Sequence, residues 1–206
     1  MKIRVISGLA VFSMIALTYT NAQIKSGYII GMNLSTMSLK SSGINFEAKT
    51  SAGVHFGKIF EIPLNDNFAL QPGFLFSAKG SFYKIDTAEF SISPIYIEIP
   101  VITVFSFGPD AVKLSLYAGT YFACGVGGTR ESGSELKYIR FGSGENKDMK
   151  LFDIGLNFGA GVNIKGLMIS GQYGLGLANL SPAIKGDSEM KNKVIGISLS
   201  AFFAGK

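Results

Sequence analysis

The amino-acid sequence predicts an all-β protein: an eight-stranded antiparallel up-and-down transmembrane β-barrel with an interior filled by side chains. Three observations predict this fold class. Apolar residues alternate along eight segments, the connections between these segments are alternately long and short, and no apolar run after Leu17 is long enough for a transmembrane helix. Alternation indicates strands because successive side chains of a strand point to opposite faces.

The clearest alternation lies in residues 151–164, LFDIGLNFGAGVNI. One face of this segment carries Phe, Ile, Leu and Val, and the other carries Asp153, Asn157, Asn163 and three glycines. A strand of a soluble antiparallel sheet usually presents charged and hydroxyl side chains to water on its polar face. Small polar residues and glycine suit a crowded interior instead, so we expect the apolar face to point outward into lipid.

Seven further segments show the same alternation over roughly the length that a transmembrane strand needs. Two residues interrupt their apolar faces. Lys58 has a long stem that can reach a membrane interface, and Pro72 lacks a donor for the strand ladder. The eight predicted strands, in chain order, are residues 24–35, 51–62, 68–79, 93–105, 113–126, 151–164, 167–177 and 193–203.

The connections provide an independent criterion. Outer-membrane barrels have long extracellular loops and short periplasmic turns. With the N-terminus in the periplasm, the four long connections, 36–50, 80–92, 127–150 and 178–192, all fall outside. The three short ones, 63–67, 106–112 and 165–166, fall inside. A closed barrel with an even strand number also satisfies every backbone polar group in lipid.

Eight strands predict what fills the interior, because a barrel of this size has room only for its own side chains. We therefore expect a hydrogen-bonded and ion-paired plug and no open pore. The inward glycines are expected to make room for Tyr96, Tyr117 and Tyr121. The predicted plug residues are Lys25, Glu61, Lys79, Glu98, Lys113, Asp153, Asn157 and Gln172.

The N-terminus predicts a cleaved export signal over residues 1–22, followed by a single barrel domain over residues 23–206. Lys2 and Arg4 precede an apolar stretch over 5–17, and Thr20-Asn21-Ala22 is a small-residue cleavage site. A membrane anchor helix is the alternative, but the apolar stretch is shorter than a span needs. Without Lys2 and Arg4, 17 of the 19 basic residues remain against 14 acidic ones, a net charge of +3. The sequence contains no stripe of basic residues of the kind that would predict nucleic-acid binding.

Five motifs in order carry a family resemblance: GYIIGMNLS (27–35), LQPGFLFSAKG (70–80), YIEIPV (96–101), DIGLNFGAG (153–161) and QYGLGLANLS (172–181). The sequence resembles the PorT-like outer-membrane β-barrel family of Bacteroidota-type bacteria. This resemblance implies an eight-stranded barrel in the outer membrane. The founding member of that family is associated with protein secretion to the cell surface, but most relatives have no assigned role.

The predicted function is that of a non-enzymatic integral outer-membrane barrel, structural, adhesive or partner-binding through its extracellular loops, or an accessory to surface secretion. Its surroundings would be outer-membrane lipid. The loop 127–150 combines mixed charge with Tyr138, Ile139 and Phe141, which predict a contact surface for a protein or polysaccharide. No catalytic residue, cofactor or metal ligand is assigned. Cys124, the single cysteine, is interpreted as a small outward apolar residue.

Two alternatives remain open from the sequence. One is a small lipid-modifying outer-membrane enzyme centred on His55, the single histidine. Glu61 lies about 20 Å farther along the same strand, so a triad would need partners from neighbouring strands. A hydrogen-bonded interior histidine is the simpler interpretation. The other alternative is a soluble secreted calycin-like ligand-binding barrel, apolar inside and polar outside.

Overall fold

The computed structural model describes residues 24–41, 44–46, 48–85, 88–109, 111–144, 146–182 and 188–204. The predicted signal peptide, residues 1–22, lies outside them. No helix in the described part of the chain is long and apolar enough to cross a membrane. The described chain forms eleven strands: β1 (Lys25–Ser41), β2 (Ile44–Phe46), β3 (Ala48–Pro63), β4 (Phe68–Ala78), β5 (Ser81–Ile85), β6 (Ala88–Phe107), β7 (Val112–Ser132), β8 (Glu135–Tyr138), β9 (Phe152–Ile164), β10 (Leu167–Gly176) and β11 (Glu189–Ala204).

Eight of these strands close into an antiparallel ring, as predicted. The order around the ring is β1-β3-β4-β6-β7-β9-β10-β11, and β11 pairs back onto β1 from Lys25↔Ala204 to Lys40↔Glu189. Closure leaves no strand edge in the ring without a partner. The other three strands extend the wall at one end: β2 pairs with β1, β5 bridges β3 and β6, and β8 forms a hairpin with β7.

The eight predicted segments lie in ring strands except for the terminal residues Ile24, Lys79, Leu151 and Leu177, and several strands are longer than predicted. The strands β6 and β7 have 20 and 21 residues, and their pairing continues to Phe90↔Ser132. Much of the four predicted long loops is therefore strand. Pairing continues because a strand ladder needs a hydrogen-bonding partner and does not need lipid. We call this extended end the outer end, and the end with the three short turns the inner end.

The two faces of the wall differ in exposure as the alternation predicted. Outward apolar side chains are open, with Ile30 61% and Ile197 64% exposed, whereas inward Tyr96 and Asn33 are 0% and 1% exposed. Most of the buried polar residues line the interior, among them several serines. This distribution is the reverse of the one that the soluble calycin-like alternative requires, because that barrel is apolar inside.

Inward glycines lie against the rings of Tyr117 and Tyr121, which confirms the predicted complementarity for these two of the three tyrosines. A Cβ on Gly155 would collide with the ring of Tyr121, and one on Gly159 with the ring of Tyr117. In contrast, a Cβ on the outward Gly171 would meet nothing within 4 Å. The narrow interior has room for these tyrosine rings because the paired residue on the adjacent strand β9 is a glycine in each case.

The outer end has an apolar core of its own. Its buried members come from the outer parts of β1, β6 and β11, from β5, and from the segments after β8 and β10. They are Met37, Tyr83, Ile92, Ile139, Met149, Leu180 and Met190. Phe141 packs partly buried against this cluster. The predicted contact surface on loop 127–150 is thus wrong for Ile139 and Phe141, because both turn inward to cover apolar surface. Tyr138 remains 84% exposed.

Candidate functional site

A row of three hydrogen-bonded side chains, centred on His55, lies inside the barrel on three adjacent strands. This residue points inward from β3 and is 2% exposed. Its Nδ1 lies 2.8 Å from Oδ1 of Asn33 on β1, and its Nε2 lies 2.8 Å from Oγ of Ser198 on β11. These three strands are neighbours in the ring, and Gly31 pairs with both His55 and Ser198. The absent side chain at Gly31 leaves the space that the imidazole fills.

The hydrogen bonds of Asn33 determine the tautomer of His55. The Nδ2 of Asn33 donates to Oγ of Ser77 (3.1 Å) and to the carbonyl of Ala78 (3.0 Å), so Oδ1 is the acceptor toward His55. The imidazole therefore donates from Nδ1, and its Nε2 accepts from the Ser198 hydroxyl. This order is that of a nucleophile, a base and a group that orients the base.

Burial restricts the access of a substrate to this row. Asn33, His55 and Ser198 are 1%, 2% and 3% exposed, behind the wall of the barrel. The adjoining cavity, which His55 and Tyr117 help to line, has a volume of about 60 Å³. Such a space holds a few water molecules and is too small for an acyl chain. Glu61 does not join the row, because it binds Lys25 (2.8 Å) and Gln71 (2.9 Å).

A second polar cluster surrounds Lys79, which follows β4 and is 5% exposed. Its Nζ lies 2.8 Å from Oε2 of Glu98 and 3.9 Å from Oδ2 of Asp153. The ammonium also lies 4.2 Å from the ring centroid of Tyr121 and 5.2 Å from that of Tyr96. Aromatic faces attract a desolvated cation, so carboxylates and rings together stabilise the buried charge.

Asp153 connects this cluster across the barrel. Its Oδ2 accepts hydrogen bonds from the hydroxyl of Tyr121 (3.0 Å) and from Nδ2 of Asn192 (2.8 Å). The cluster thereby joins β6, β7, β9 and β11 to Lys79. One ammonium faces two carboxylates, and Oδ1 of Asp153 is buried without a hydrogen-bond partner among the described residues.

The predicted plug residues do not form one network. Lys79, Glu98, Asp153 and Asn157 are buried in the interior, and Gln172 packs over Gly196. Lys25 and Glu61 form a separate pair, and Lys113 lies with them at the mouth of the inner end. The sequence did not identify Asn33, Asn192 or Ser198 as partners. Strand parity placed Asn33 and Ser198 inward, whereas Asn192 lay in the predicted connection 178–192. The pairing of all three depends on which strands are neighbours and in what register.

A hairpin of β7 and β8 lies at the outer end, and all residues from 131 to 138 are exposed. Its turn contains Gly133 in the left-handed region, with φ of 59°. Leu136 and Tyr138 of β8 are 65% and 84% exposed. Asp148 lies within 3.3 Å of Nε of Arg130 and within 3.4 Å of Nε of Arg140. The Arg130–Asp148 pair ties the segment after β8 back to β7, whereas the Arg140–Asp148 pair lies within that segment.

The remaining candidates from the sequence are Cys124 and any group of metal-binding side chains. Cys124 lies on β7 and is half-buried. Within the described ranges, no group of three or more His, Cys, Asp or Glu residues is placed to hold a metal ion.

A closed eight-stranded ring, apolar outside and filled by polar side chains, defines a transmembrane β-barrel of the outer-membrane type. The chain belongs to the outer membrane protein beta-barrel domain family, whose model matches residues 19–181.

Three solved structures are similar in architecture at low identity. Ail of Yersinia pestis, in complex with the heparin analogue sucrose octasulfate, is 16% identical with a TM-score of 0.45, over 88% of this chain and 99% of that one. Neisserial surface protein A is 12% identical with a TM-score of 0.45, over 85% and 97%. The outer membrane enzyme PagL is 8% identical with a TM-score of 0.42, over 83% and 98%. No curated protein matches the sequence.

The Lys79 cluster leads to a stability prediction. Replacing Lys79 with Met leaves Glu98 and Asp153 buried without a cation, and we expect a loss of about 3–5 kcal/mol in the free energy of unfolding. The double variant Lys79→Met/Glu98→Leu should recover part of this loss, because Asp153 keeps Tyr121 and Asn192. Reversible urea unfolding in lipid vesicles measures both values.

Lys84→Met is the matched control. Lys84 pairs with Glu89 at 3.5 Å on the exposed outer end, so its replacement should cost less than about 1 kcal/mol. If Lys79→Met is as mild as Lys84→Met, the buried cluster does not hold the strands together.

Proposed function

We propose that this protein is a non-enzymatic outer-membrane barrel that binds a protein or polysaccharide partner at its extracellular end, in a structural or adhesive role. The main support for the proposal is the exposure of apolar and aromatic side chains on the β7–β8 hairpin. Its strand β8 presents Leu136 and Tyr138 to solvent beyond the ring. Lipid covers the apolar side chains of a barrel wall, but it does not cover a hairpin that extends past the membrane.

The chemistry of the hairpin supports a partner surface. Tyrosine and arginine are enriched at protein interfaces, and Tyr138 lies in a cluster with Arg130, Lys137 and Arg140. Loops carried by a rigid scaffold commonly perform binding. The interior also supports a binding role over a channel role, because the side chains that fill the barrel leave no wide passage for a solute.

Three further expectations from the sequence belong to this proposal. Residues 1–22 are a cleaved signal peptide, and the mature chain is residues 23–206. The protein is a PorT-like member of its family. A role as an accessory to surface secretion is one form that partner binding would take.

A photo-crosslinking amino acid at Tyr138 tests the proposal in intact cells. We expect a discrete, protease- or glycosidase-sensitive adduct, because the side chain at position 138 is 84% exposed. The double variant Leu136→Ser/Lys137→Ser, with the crosslinker kept at position 138, should reduce its yield severalfold. Detection is by mobility shift and mass spectrometry.

Two controls make the crosslinking specific. The crosslinker at Lys84 reports another exposed outer hairpin, and the crosslinker at Ile197 reports the lipid-facing wall. The same adduct from all three positions, or none from position 138, would contradict a partner surface on β8. Point variants are preferred to removal of residues 127–150, because that deletion also removes the buried Ile139 and Met149.

The enzymatic alternative has one specific observation in its favour, the Ser198–His55–Asn33 row. We expect Ser198→Ala and His55→Ala to leave the lipid A profile of the cells unchanged, because the row is buried behind the barrel wall. Mass spectrometry of extracted lipid A measures the profile, and heat-modifiable migration verifies that each variant folds. A profile altered by both folded variants would overturn the non-enzymatic proposal.

A further inference from the structure

A pocket of about 410 Å³ lies at the outer end, beside the β7–β8 hairpin; we call it the outer pocket. Its floor is apolar and consists of Leu39, Tyr83, Phe90, Ile92 and Met190. The rings of Tyr83 and Phe90 stack at 4.5 Å, and the Tyr83 hydroxyl donates to the carbonyl of Met37 at 2.7 Å. The floor thus presents aromatic and aliphatic carbon, with the single hydroxyl among its side chains already hydrogen-bonded.

The rim of the outer pocket is polar and opens to solvent. Glu131, Glu135 and Lys137 are exposed rim residues, and the Arg130–Asp148 ion pair lies deeper, with Asp148 11% exposed. Four serines complete the wall: Ser91, Ser132, Ser181 and Ser188. A volume of this size and a lining of apolar floor with few polar groups are typical of small-molecule sites.

The charges of the rim restrict the head group of a ligand. Two cations and three carboxylates line the pocket, so an anionic head would approach more negative than positive charge. Arg130 and Asp148 already neutralise each other at 3.3 Å. A wholly apolar ligand would cover this pair without returning hydrogen bonds to it, which is costly. Hydroxyl groups both donate and accept, and they match a rim of guanidinium, carboxylate and serine.

We propose that the outer pocket binds a small uncharged amphipathic molecule, with an aromatic or aliphatic body on the floor and a hydroxyl-bearing head at the rim. An aryl glycoside is a simple member of this class. The site does not depend on a macromolecular partner at Tyr138, because Tyr138 is not among the residues that line it.

Methionine methyl groups provide the readout. Met190 lines the pocket, and Met37 and Met149 belong to the cluster around it. Met32 faces lipid at 59% exposure, and Met168 is buried near the inner end. The experiment follows these methyl resonances by NMR, with ¹³C-methyl methionine in the full-length protein in lipid nanodiscs, during titration with phenyl β-D-glucopyranoside. We expect a saturable shift at Met190 and none at Met32 or Met168.

Paired variants locate the site. Arg130→Met removes the guanidinium donor below the rim and should weaken binding about tenfold. Arg140→Met is its control, because Arg140 binds the same Asp148 but does not line the pocket. Leu39→Trp adds a ring on the floor and should abolish the Met190 shift, whereas Leu34→Trp on the lipid-facing wall should leave it unchanged. Phenyl β-D-glucuronide, the anionic counterpart, should bind more weakly than the glucoside.

Several outcomes would overturn the proposal. One is the absence of a saturable shift at Met190 in the wild-type protein. Another is an equal shift at Met32, which would mean partition into lipid. A third is wild-type binding in Leu39→Trp. Tighter binding of the glucuronide would overturn the uncharged head group. None of these results bears on the crosslink at position 138, so failure of the outer pocket and failure of the partner surface are distinguishable.

Discussion

Closure of the hydrogen-bond ladder between β1 and β11 is the constraint on which the rest of this structure depends. A sheet in lipid cannot leave backbone groups unpaired, since hydrocarbon offers no hydrogen bonds in return. The pairing from Lys25↔Ala204 to Lys40↔Glu189 removes the last open edge of the sheet. In lipid, the apolar face of the closed ring points outward, as the exposed Ile30 and Ile197 show. Eight strands also leave an interior narrow enough for side chains to fill.

The interior chemistry follows from that narrowness. Tyr117 and Tyr121 fit because Gly159 and Gly155 face them, and the imidazole of His55 occupies the space over Gly31. Polar groups packed this tightly must satisfy one another, as the Asn33–His55–Ser198 row and the Lys79 cluster do for most of their atoms. Because the interior is filled, we propose molecular recognition at the outer end, where the extended strands carry both the β7–β8 hairpin and the outer pocket.

The sequence predicted the ring strands well because alternation in segments such as 151–164 is a local property. It predicted inward faces for the same reason. It did not predict the partners of His55 or Asp153, since those contacts join residues from strands that are distant in sequence. Ile139 and Phe141 were misassigned to a contact surface for a related reason. Their burial depends on Met37, Ile92 and Met190 from three other strands. In the sequence, the mixed charges around them are typical of a solvated loop.

The apolar face of each ring strand points to lipid, and the other face points to the filled interior. Fluorescence quenching tests this arrangement most directly, because the chain contains no tryptophan of its own. Phe158 on β9 points outward, whereas Tyr117 on β7 points inward at the same level, where it pairs with Gly159. Single tryptophans at these positions, in vesicles with lipids brominated on their acyl chains, should give strong quenching for Phe158→Trp and little for Tyr117→Trp. Equal quenching of the two, or stronger quenching at position 117, would contradict a barrel that is apolar outside and filled inside.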